Sequence, residues 1–422
     1  MLSTLPPAPA AVNGTLKPGR LFNAEDFALA DLSPAEVWER VVTIAVREHA
    51  SDIHFCCQRD GMHVALRMDG RVYPPGLVPA DLGVRLAGHT KVLANMDVSE
   101  KRRPQDGHIA TQIDGREIDL RISILPSNHG EDIAIRVLDR GTGLLQLDQL
   151  GVSDRQLRDL MTMISSPSGL ILVTGATGAG KTTTLYAALN HLADGTRKVV
   201  TIENPLEFDL PRINQTEVNY KIGVDYATLI RSVLRHDPNV IMIGEIRDSE
   251  TAQTVVRAAN CGRLVLATSH AVHSAAAIDS IVDLGAHRHF VARAFRGVVA
   301  QTLLRRLCPY CTIRLEETAD ASILDDVRHL LGPNENPVLS MGRGCPHCRH
   351  TGYRGRVGIF EIMVADDEIR EMIARGAASR EIYACAVRNK MVTIAQAGKL
   401  AALRGLTTIE ELLENVSEIW TG

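Results

Sequence analysis

Eight residues, Gly175-Ala176-Thr177-Gly178-Ala179-Gly180-Lys181-Thr182, constrain this chain more than any other stretch. They fill every fixed position of the phosphate-loop pattern G-x-x-x-x-G-K-[ST], whose glycines let backbone N–H groups curl around a phosphate. Ahead of them, Leu170-Ile171-Leu172-Val173-Thr174 is a short, nearly all-apolar run, as a buried parallel strand should be. Behind them, Thr183-Thr184-Leu185-Tyr186-Ala187-Ala188-Leu189 carries apolar residues at helical spacing. Strand, loop and helix come in the order that phosphate binding needs, and the helix N-terminus adds partial positive charge. The spacing predicts Lys181 on the β- and γ-phosphates and the Thr182 hydroxyl on Mg²⁺. A glycine-rich turn matching by chance is the alternative, and the flanking strand and helix disfavour it. The chain is expected to bind a nucleoside triphosphate through residues 175–183, from Gly175 to Thr183.

Beyond the loop, apolar runs ending in chemistry-bearing residues recur. Val199-Val200-Thr201-Ile202-Glu203 and Asn239-Val240-Ile241-Met242-Ile243-Gly244-Glu245 each read as a strand closed by an acid. Arg263-Leu264-Val265-Leu266-Ala267-Thr268-Ser269-His270 repeats the scheme with a histidine. Residues 226–236 read as a helix between strands, and another begins near Ser249. Such alternation predicts an α/β fold with a mostly parallel sheet and its ligand at the carboxyl ends of the strands. A lone acid at a strand end is commonly a solvated cap, and a lone histidine commonly bonds within a core. Glu203, Glu245 and His270 delivered to one edge beside a phosphate loop instead form a constellation with a catalytic or Mg²⁺-binding role.

The start of the chain has a different texture. Residues 1–30 are rich in Pro and Ala and read as a mobile arm. Ser33 then Pro34 signal a helix start, and Trp38, Val41, Val42, Ala45 and Val46 form its apolar stripe. From 51 to 140 the pattern turns to strands. Asp69-Gly70 and Asp114-Gly115 mark tight hairpin turns. Ile118, Leu120, Ile122 and Ile124 alternate with Glu117, Asp119, Arg121 and Ser123, the period of a half-buried antiparallel strand. An α+β domain over 31–140 is therefore expected, with a linker near Gly141-Thr142-Gly143.

With 422 residues the chain has room for two or three domains, and a net charge of −4 gives no global basic field toward nucleic acid or an anionic membrane. It has no run of 18 apolar residues to span a bilayer, and residues 1–7 lack the basic and apolar regions of a secretory signal. A cytoplasmic protein is expected. Four of its eight cysteines are paired as Cys308-Pro309-Tyr310-Cys311 and Cys345-Pro346-His347-Cys348. Four thiolates satisfy tetrahedral Zn²⁺ with no open position, so a structural zinc module is expected over 306–360. A redox pair or four buried free thiols are the alternatives. Cys308 follows Leu303-Leu304-Arg305-Arg306-Leu307, read as the end of a helix from which the module hangs. The segment between the knuckles reads as too polar to build its own core, with Glu316-Glu317, Asp325-Asp326 and Asn334-Glu335-Asn336 in it. Apolar residues at helical spacing over 361–422 predict a helical C-terminal domain, as packing rather than a ligand site.

Taken together, the phosphate loop, Ile202-Glu203-Asn204-Pro205-Leu206-Glu207, Gly244-Glu245-Ile246-Arg247-Asp248 and the His270 segment resemble the secretion ATPase superfamily of type II secretion, type IV pilus assembly and retraction, and some conjugation systems. The first domain resembles the family's smaller N-terminal domain through Ser51-Asp52-Ile53-His54, Arg67-Met68-Asp69-Gly70, Pro104-Gln105-Asp106-Gly107, Asp119-Leu120-Arg121 and Gly130-Glu131 leading to Arg136. The resemblance covers residues 35–420. It implies a RecA-like phosphate-loop ATPase domain over 144–305, a preceding PAS-like domain, and a hexameric ring that turns ATP hydrolysis into motion of an inner-membrane machine. It further implies Glu245 polarising the attacking water, Glu203 holding Mg²⁺ or positioning the nucleotide, and Arg121 and Arg136 reaching the triphosphate. Arg231 and Arg235 are weaker candidates for a contact across subunits. Gly352-Tyr353-Arg354-Gly355-Arg356-Val357-Gly358-Ile359-Phe360-Glu361 resembles the segment closing the zinc module of assembly members.

The chain departs from that pattern at Asn204, where the family usually has Asp, at Ala271-Val272 in place of Thr-Asn, and at Arg263, often a histidine. It also carries only a short arm where secretion and pilus-assembly members usually carry another domain. The expected partners are copies of itself and an inner-membrane platform protein, which would hold it peripherally at that membrane. A nucleic-acid translocase or conjugation-type ATPase on the same core is the alternative function. Aromatic residues are 4% of the chain and not interleaved with basic ones, so direct nucleic-acid binding is not expected.

Overall fold

The computed structural model describes residues 27–139, 144–315, 326–332, 335 and 337–416. The expected arm up to residue 26, the linker near Gly141, and Glu316, Glu317, Asp325, Asn334 and Asn336 lie outside the described residues. Two compact units form: residues 1–141 with Gly344–Thr351, and residues 142–343 with 352–422.

In the first unit, Ser33 opens the helix Pro34–Arg47 by a reciprocal pair of bonds. Its hydroxyl accepts from the Glu36 N–H, and the Glu36 carboxylate accepts from the Ser33 N–H. Val37, Trp38, Val41, Val42, Ala45 and Val46 are the buried stripe. They pack with the helix Ala80–Leu93 on an antiparallel sheet in one apolar core. The strands are β1 (Asp52–Gln58), β2 (Gly61–Met68), β3 (Arg71–Val78), β4 (Gln105–Ile113), β5 (Arg116–Ser127) and β6 (Gly130–Asp139), in the order β3-β2-β1-β6-β5-β4. Asp69, Gly70, Asp114 and Gly115 all take positive φ (48°, 86°, 50° and 76°), the backbone that tight hairpins require and that Asp-Gly pairs adopt readily.

The second unit is built on β7 (Gly169–Thr174), β8 (Val199–Glu203), β9 (Asn214–Glu217), β10 (Val240–Ile243), β11 (Leu264–Ser269), β12 (Phe295–Leu307) and, after the short pair β13 (Thr312–Arg314) and β14 (Ser340–Gly342), β15 (Tyr353–Val364). The sheet order is β15-β12-β7-β11-β10-β8-β9. Every neighbouring pair from β12 to β9 is parallel, and β15 closes the other edge antiparallel to β12. Leu170 and Leu172 face one core with the helices Tyr226–Val233 and Ser249–Asn260, while Ile171 and Val173 face the other with Asp154–Ile164 and Lys181–Leu192. Burial on both faces is why these strands read as continuous apolar runs. Since the strands run in parallel, their carboxyl ends meet at one edge.

Two expectations are corrected. Leu303–Leu307 is not a helix but the end of β12, where pairing to β15 decides a run whose apolar pattern fits either state. The expected boundaries at 305/306 and 360/361 accordingly fall inside β12 and β15. The segment between the cysteine pairs is also not held by a metal alone. Val327 is fully buried against Leu400 and Leu403 of the helix Ile394–Leu403, and Lys399 Nζ pairs with Asp326 Oδ2 at 2.7 Å. Its apolar residues were too sparse to form a core alone, and a neighbouring helix supplies the rest.

Candidate functional site

The phosphate loop joins β7 to the helix Lys181–Leu192 through Gly175, Gly178 and Gly180, at φ of 146°, 80° and 85°. Gly175 has a second reason to be glycine: a Cβ there would stand 2.3 Å from the Gln301 carbonyl oxygen. Gln301, buried on β12, donates from Nε2 to the Ala179 carbonyl at 2.7 Å and so braces the loop from the neighbouring strand. Lys181 Nζ lies over the loop, donating to the carbonyls of Gly175 at 2.7 Å and Ala176 at 3.2 Å. Burial lowers the pKa of this ammonium, and the nearby Glu245 carboxylate opposes the shift. Thr182 Oγ1 sits 3.4 Å from Glu207 Oε1. That pairing of a hydroxyl and a carboxylate offers hard oxygen donors of the kind Mg²⁺ prefers.

The three strand-end residues do not share one environment. Glu203 is buried, and its carboxylate accepts from Thr201 Oγ1 at 2.6 Å, Gln215 Nε2 at 3.2 Å and Tyr186 Oη at 2.5 Å. Tyr186 lies on the helix that follows the phosphate loop, so Glu203 ties that helix to β8. Burial, and then the Glu203 anion, hold the Tyr186 hydroxyl far above its ordinary pKa. Glu245, by contrast, is gripped from both sides at the sheet edge. Arg247 Nη2 is 2.6 Å from one carboxylate oxygen, and His270 Nε2 is 2.5 Å from the other. Thr174, the last residue of β7, donates its hydroxyl to the Ala271 carbonyl at 2.6 Å, which pins the segment after His270 to the root of the phosphate loop. Glu245 and His270 are thus brought together beside Lys181, and Glu203 is turned inward.

In the first unit, Arg121 of β5 and Arg136 of β6 are directly paired across the sheet. The same rung carries His108, Asp52 and Arg67. Arg136 Nε lies 3.4 Å from Asp52 Oδ1. Like charges directly opposite each other are unfavourable in a sheet, and the Asp52 carboxylate beside Arg136 offsets part of that repulsion. Arg231 forms an ion pair with Glu250, and Arg235 donates to the Arg231 carbonyl at 3.1 Å.

The sulfur atoms of Cys308, Cys311, Cys345 and Cys348 all lie within 4.8 Å of one another. Within each pair a tight turn is closed by a backbone bond, from Cys311 N to Cys308 O at 3.2 Å and from Cys348 N to Cys345 O at 3.1 Å. The Cys345 and Cys348 sulfurs are 3.7 Å apart. A zinc tetrahedron with Zn–S bonds of about 2.3 Å has S···S edges of about 3.8 Å, so the donor set fits Zn²⁺. Cys56, Cys57, Cys261 and Cys385 lie outside this cluster.

The sequence model of the family described as "Type II/IV secretion system protein" matches residues 29–414. The chain belongs to this family. Among its relatives is the type II secretion system protein E of Pseudomonas aeruginosa, 41% identical over 376 residues that cover 89% of this chain and 74% of that one. The type II secretion system ATPase E of Vibrio cholerae is 38% identical over 375 residues, covering 89% and 73% of the two chains. The type IV pilus assembly ATPase PilB of Thermus thermophilus is 37% identical over 384 residues, which are 90% of this chain and 42% of PilB. In fold, this member of the family is similar to the pilus retraction motor PilT crystallised with ADP, with a TM-score of 0.60 at 24% identity over 91% of this chain and 97% of PilT. It is also similar to the ATPase DotB of Legionella pneumophila, with a TM-score of 0.66 at 19% identity over 93% and 100% of the two chains. The fold is that of the RecA-like secretion ATPases.

Two residues of this family member's site escaped the sequence reading. Glu207 is four residues past Glu203 on a loop, with no periodicity to aim it at Thr182. Gln301 lies in a long apolar strand, where a single polar residue was the available signal.

Proposed function

We propose that this chain is an ATP hydrolase that works as a ring and powers assembly of a type II secretion pseudopilus or a type IV pilus. The observation that carries the reading is the Glu245–His270 pair at the same sheet edge as Lys181 and its phosphate loop. Residues 175–183 cradle the phosphates with backbone N–H groups, and Lys181 binds the β/γ-phosphate charge. Thr182 and Glu207 would hold Mg²⁺, which would supply charge neutralisation for the transferring phosphoryl group. Glu245 orients the attacking water and takes its proton, and the His270 ring N–H holds the carboxylate in place. Glu203 acts by fixing the phosphate-loop helix through Tyr186. Arg121 and Arg136 supply guanidinium charge to the transition state. Asn204, standing where the family usually has Asp, affects the rate of turnover rather than whether it occurs.

Cys308, Cys311, Cys345 and Cys348 would hold one Zn²⁺, and four thiolate donors leave it a structural rather than a catalytic role. The assembled form is a hexamer, bound at the cytoplasmic face of the inner membrane through a platform protein. Among the described residues no helix is long and apolar enough to cross a membrane. ATP turnover by the purified chain, with and without single-stranded DNA, tests the reading. Turnover that is indifferent to DNA is expected, and turnover that requires DNA overturns it in favour of a translocase.

A further inference from the structure

Glu361 lies in the last third of β15 and is 1% exposed. Its place in the sheet is level with the root of the phosphate loop: Glu361 pairs with Ala300 of β12, Ala300 with Thr174 of β7, and Thr174 with Ser269 of β11. The carboxylate accepts four bonds, none of them from a cation. Oε1 accepts from Ser274 N at 3.1 Å and Ser274 Oγ at 2.5 Å. Oε2 accepts from Tyr383 Oη at 2.8 Å and Ile394 N at 3.2 Å.

Both backbone donors are the first residues of helices, Ser274–Asp283 and Ile394–Leu403. First-turn N–H groups have no partner inside their own helix, and two such ends converge on one anion. The segment 271–273 connects that first helix start to His270. It is pinned at its other side by the Thr174 hydroxyl on Ala271 O, and His273 caps the helix by accepting from Ala276 N at 3.2 Å. Tyr383 reaches the same place twice, since its ring also meets the His273 ring edge-on at 5.5 Å.

We infer that Glu361 is a positioning residue for the reaction, fixing His270 against Glu245 through the start of helix Ser274–Asp283 and tying that geometry to the C-terminal helices through Tyr383 and Ile394. The contacts form an unbroken series: Ile394 N–H and Tyr383 hydroxyl to Glu361, Glu361 to Ser274, the short segment 271–273, His270 to Glu245. A carboxylate is required because all its partners donate. An amide of the same shape turns one donor toward Ser274 or toward Tyr383 and Ile394. Movement of the C-terminal helices is thereby felt at the residue that orients Glu245, which gives the ring a route from packing to turnover. This inference rests on the ATPase reading above.

The test is a double-mutant cycle between Glu361→Gln and His270→Ala, read by steady-state ATP turnover and by hydrogen exchange. Glu361→Gln is expected to lower kcat about tenfold with KM within about twofold, and to change kcat less than about twofold when His270 is already Ala. Exchange should rise at residues 271–278 and 394–398 together. Tyr383→Phe, which removes one bond and keeps the ring, should show the same non-additivity at smaller size and serves if Glu361→Gln folds poorly. Additive effects on kcat in both cycles, or faster exchange at only one of the two helix starts, overturn the inference and leave the ATPase reading intact. A wild-type chain without turnover overturns both.

Discussion

Arg121 and Arg136 stand directly opposite each other on β5 and β6, two guanidinium groups on one rung of the first unit's sheet. Two like charges placed opposite each other, with Asp52 beside Arg136, form a positive rung suited to an anionic ligand. Arg121→Ala should therefore cut ATP turnover by about 10³-fold or more while weakening nucleotide binding far less, the signature of charge supplied to a phosphoryl-transfer transition state. Phosphate release measured against fluorescent-nucleotide affinity separates the two effects, and equal turnover in variant and wild type would leave Arg121 a surface residue.

Lys181 is half-buried and bonded to its own loop, so its charge is set where the phosphates are expected. Lys181→Ala should abolish tight nucleotide binding and leave the fold intact, since no apolar core depends on the ammonium. Calorimetric titration with ADP and far-ultraviolet circular dichroism check the two halves. Undiminished ADP affinity would move the phosphates away from this loop.

Replacing Cys345 with Ser should remove the zinc and open the stretch 308–360 to proteolysis, because one lost thiolate breaks the tetrahedral set. The loss stays local. Val327 remains buried against Leu400 and Leu403, and no cysteine belongs to the phosphate site, so nucleotide binding should survive. Metal analysis decides it: wild-type protein purified without chelator should carry one zinc per chain, and a Cys345→Ser variant that keeps one equivalent contradicts the assignment.

Just ahead of Cys308, Arg305 forms a buried ion pair with Glu411, with Nε at 2.8 Å from Oε2, and its guanidinium carbon lies 4.0 Å from the centre of the Tyr353 ring. Glu411→Ala removes the partner of this largely buried guanidinium and should lower stability by about 3–5 kcal/mol. Thermal unfolding measures this, and an unchanged Tm would show that water reaches the guanidinium freely.

Much of this architecture was legible beforehand because the informative residues are local. Glycine spacing fixed the phosphate loop, Asp-Gly pairs fixed two hairpins, and two C-x-x-C pairs fixed the thiolate cluster. Strand-end positions placed Glu203, Glu245 and His270 at one edge, but direction of the side chain is a tertiary property. Tyr186 and Gln215 turn Glu203 inward, whereas Arg247 and His270 hold Glu245 at the edge, and no spacing distinguishes the two acids. The end of β12 has a related cause: Leu303–Leu307 satisfies a helical stripe, and only its pairing with β15 selects the strand. Glu361 was visible as a residue in a family-like segment, yet its four donors come from positions as distant as Ser274 and Ile394.

The most direct test of the account is Glu245→Gln. The amide keeps the shape and cannot take the proton of the attacking water, so ATP should bind with affinity within about twofold of wild type while phosphate release falls by about 10²–10⁴-fold. Binding measured with fluorescent ATP and phosphate release measured on the same preparation give both numbers. A Glu245→Gln chain that releases phosphate at the wild-type rate would contradict the account, and Glu203 or Glu207 would then have to serve as the base.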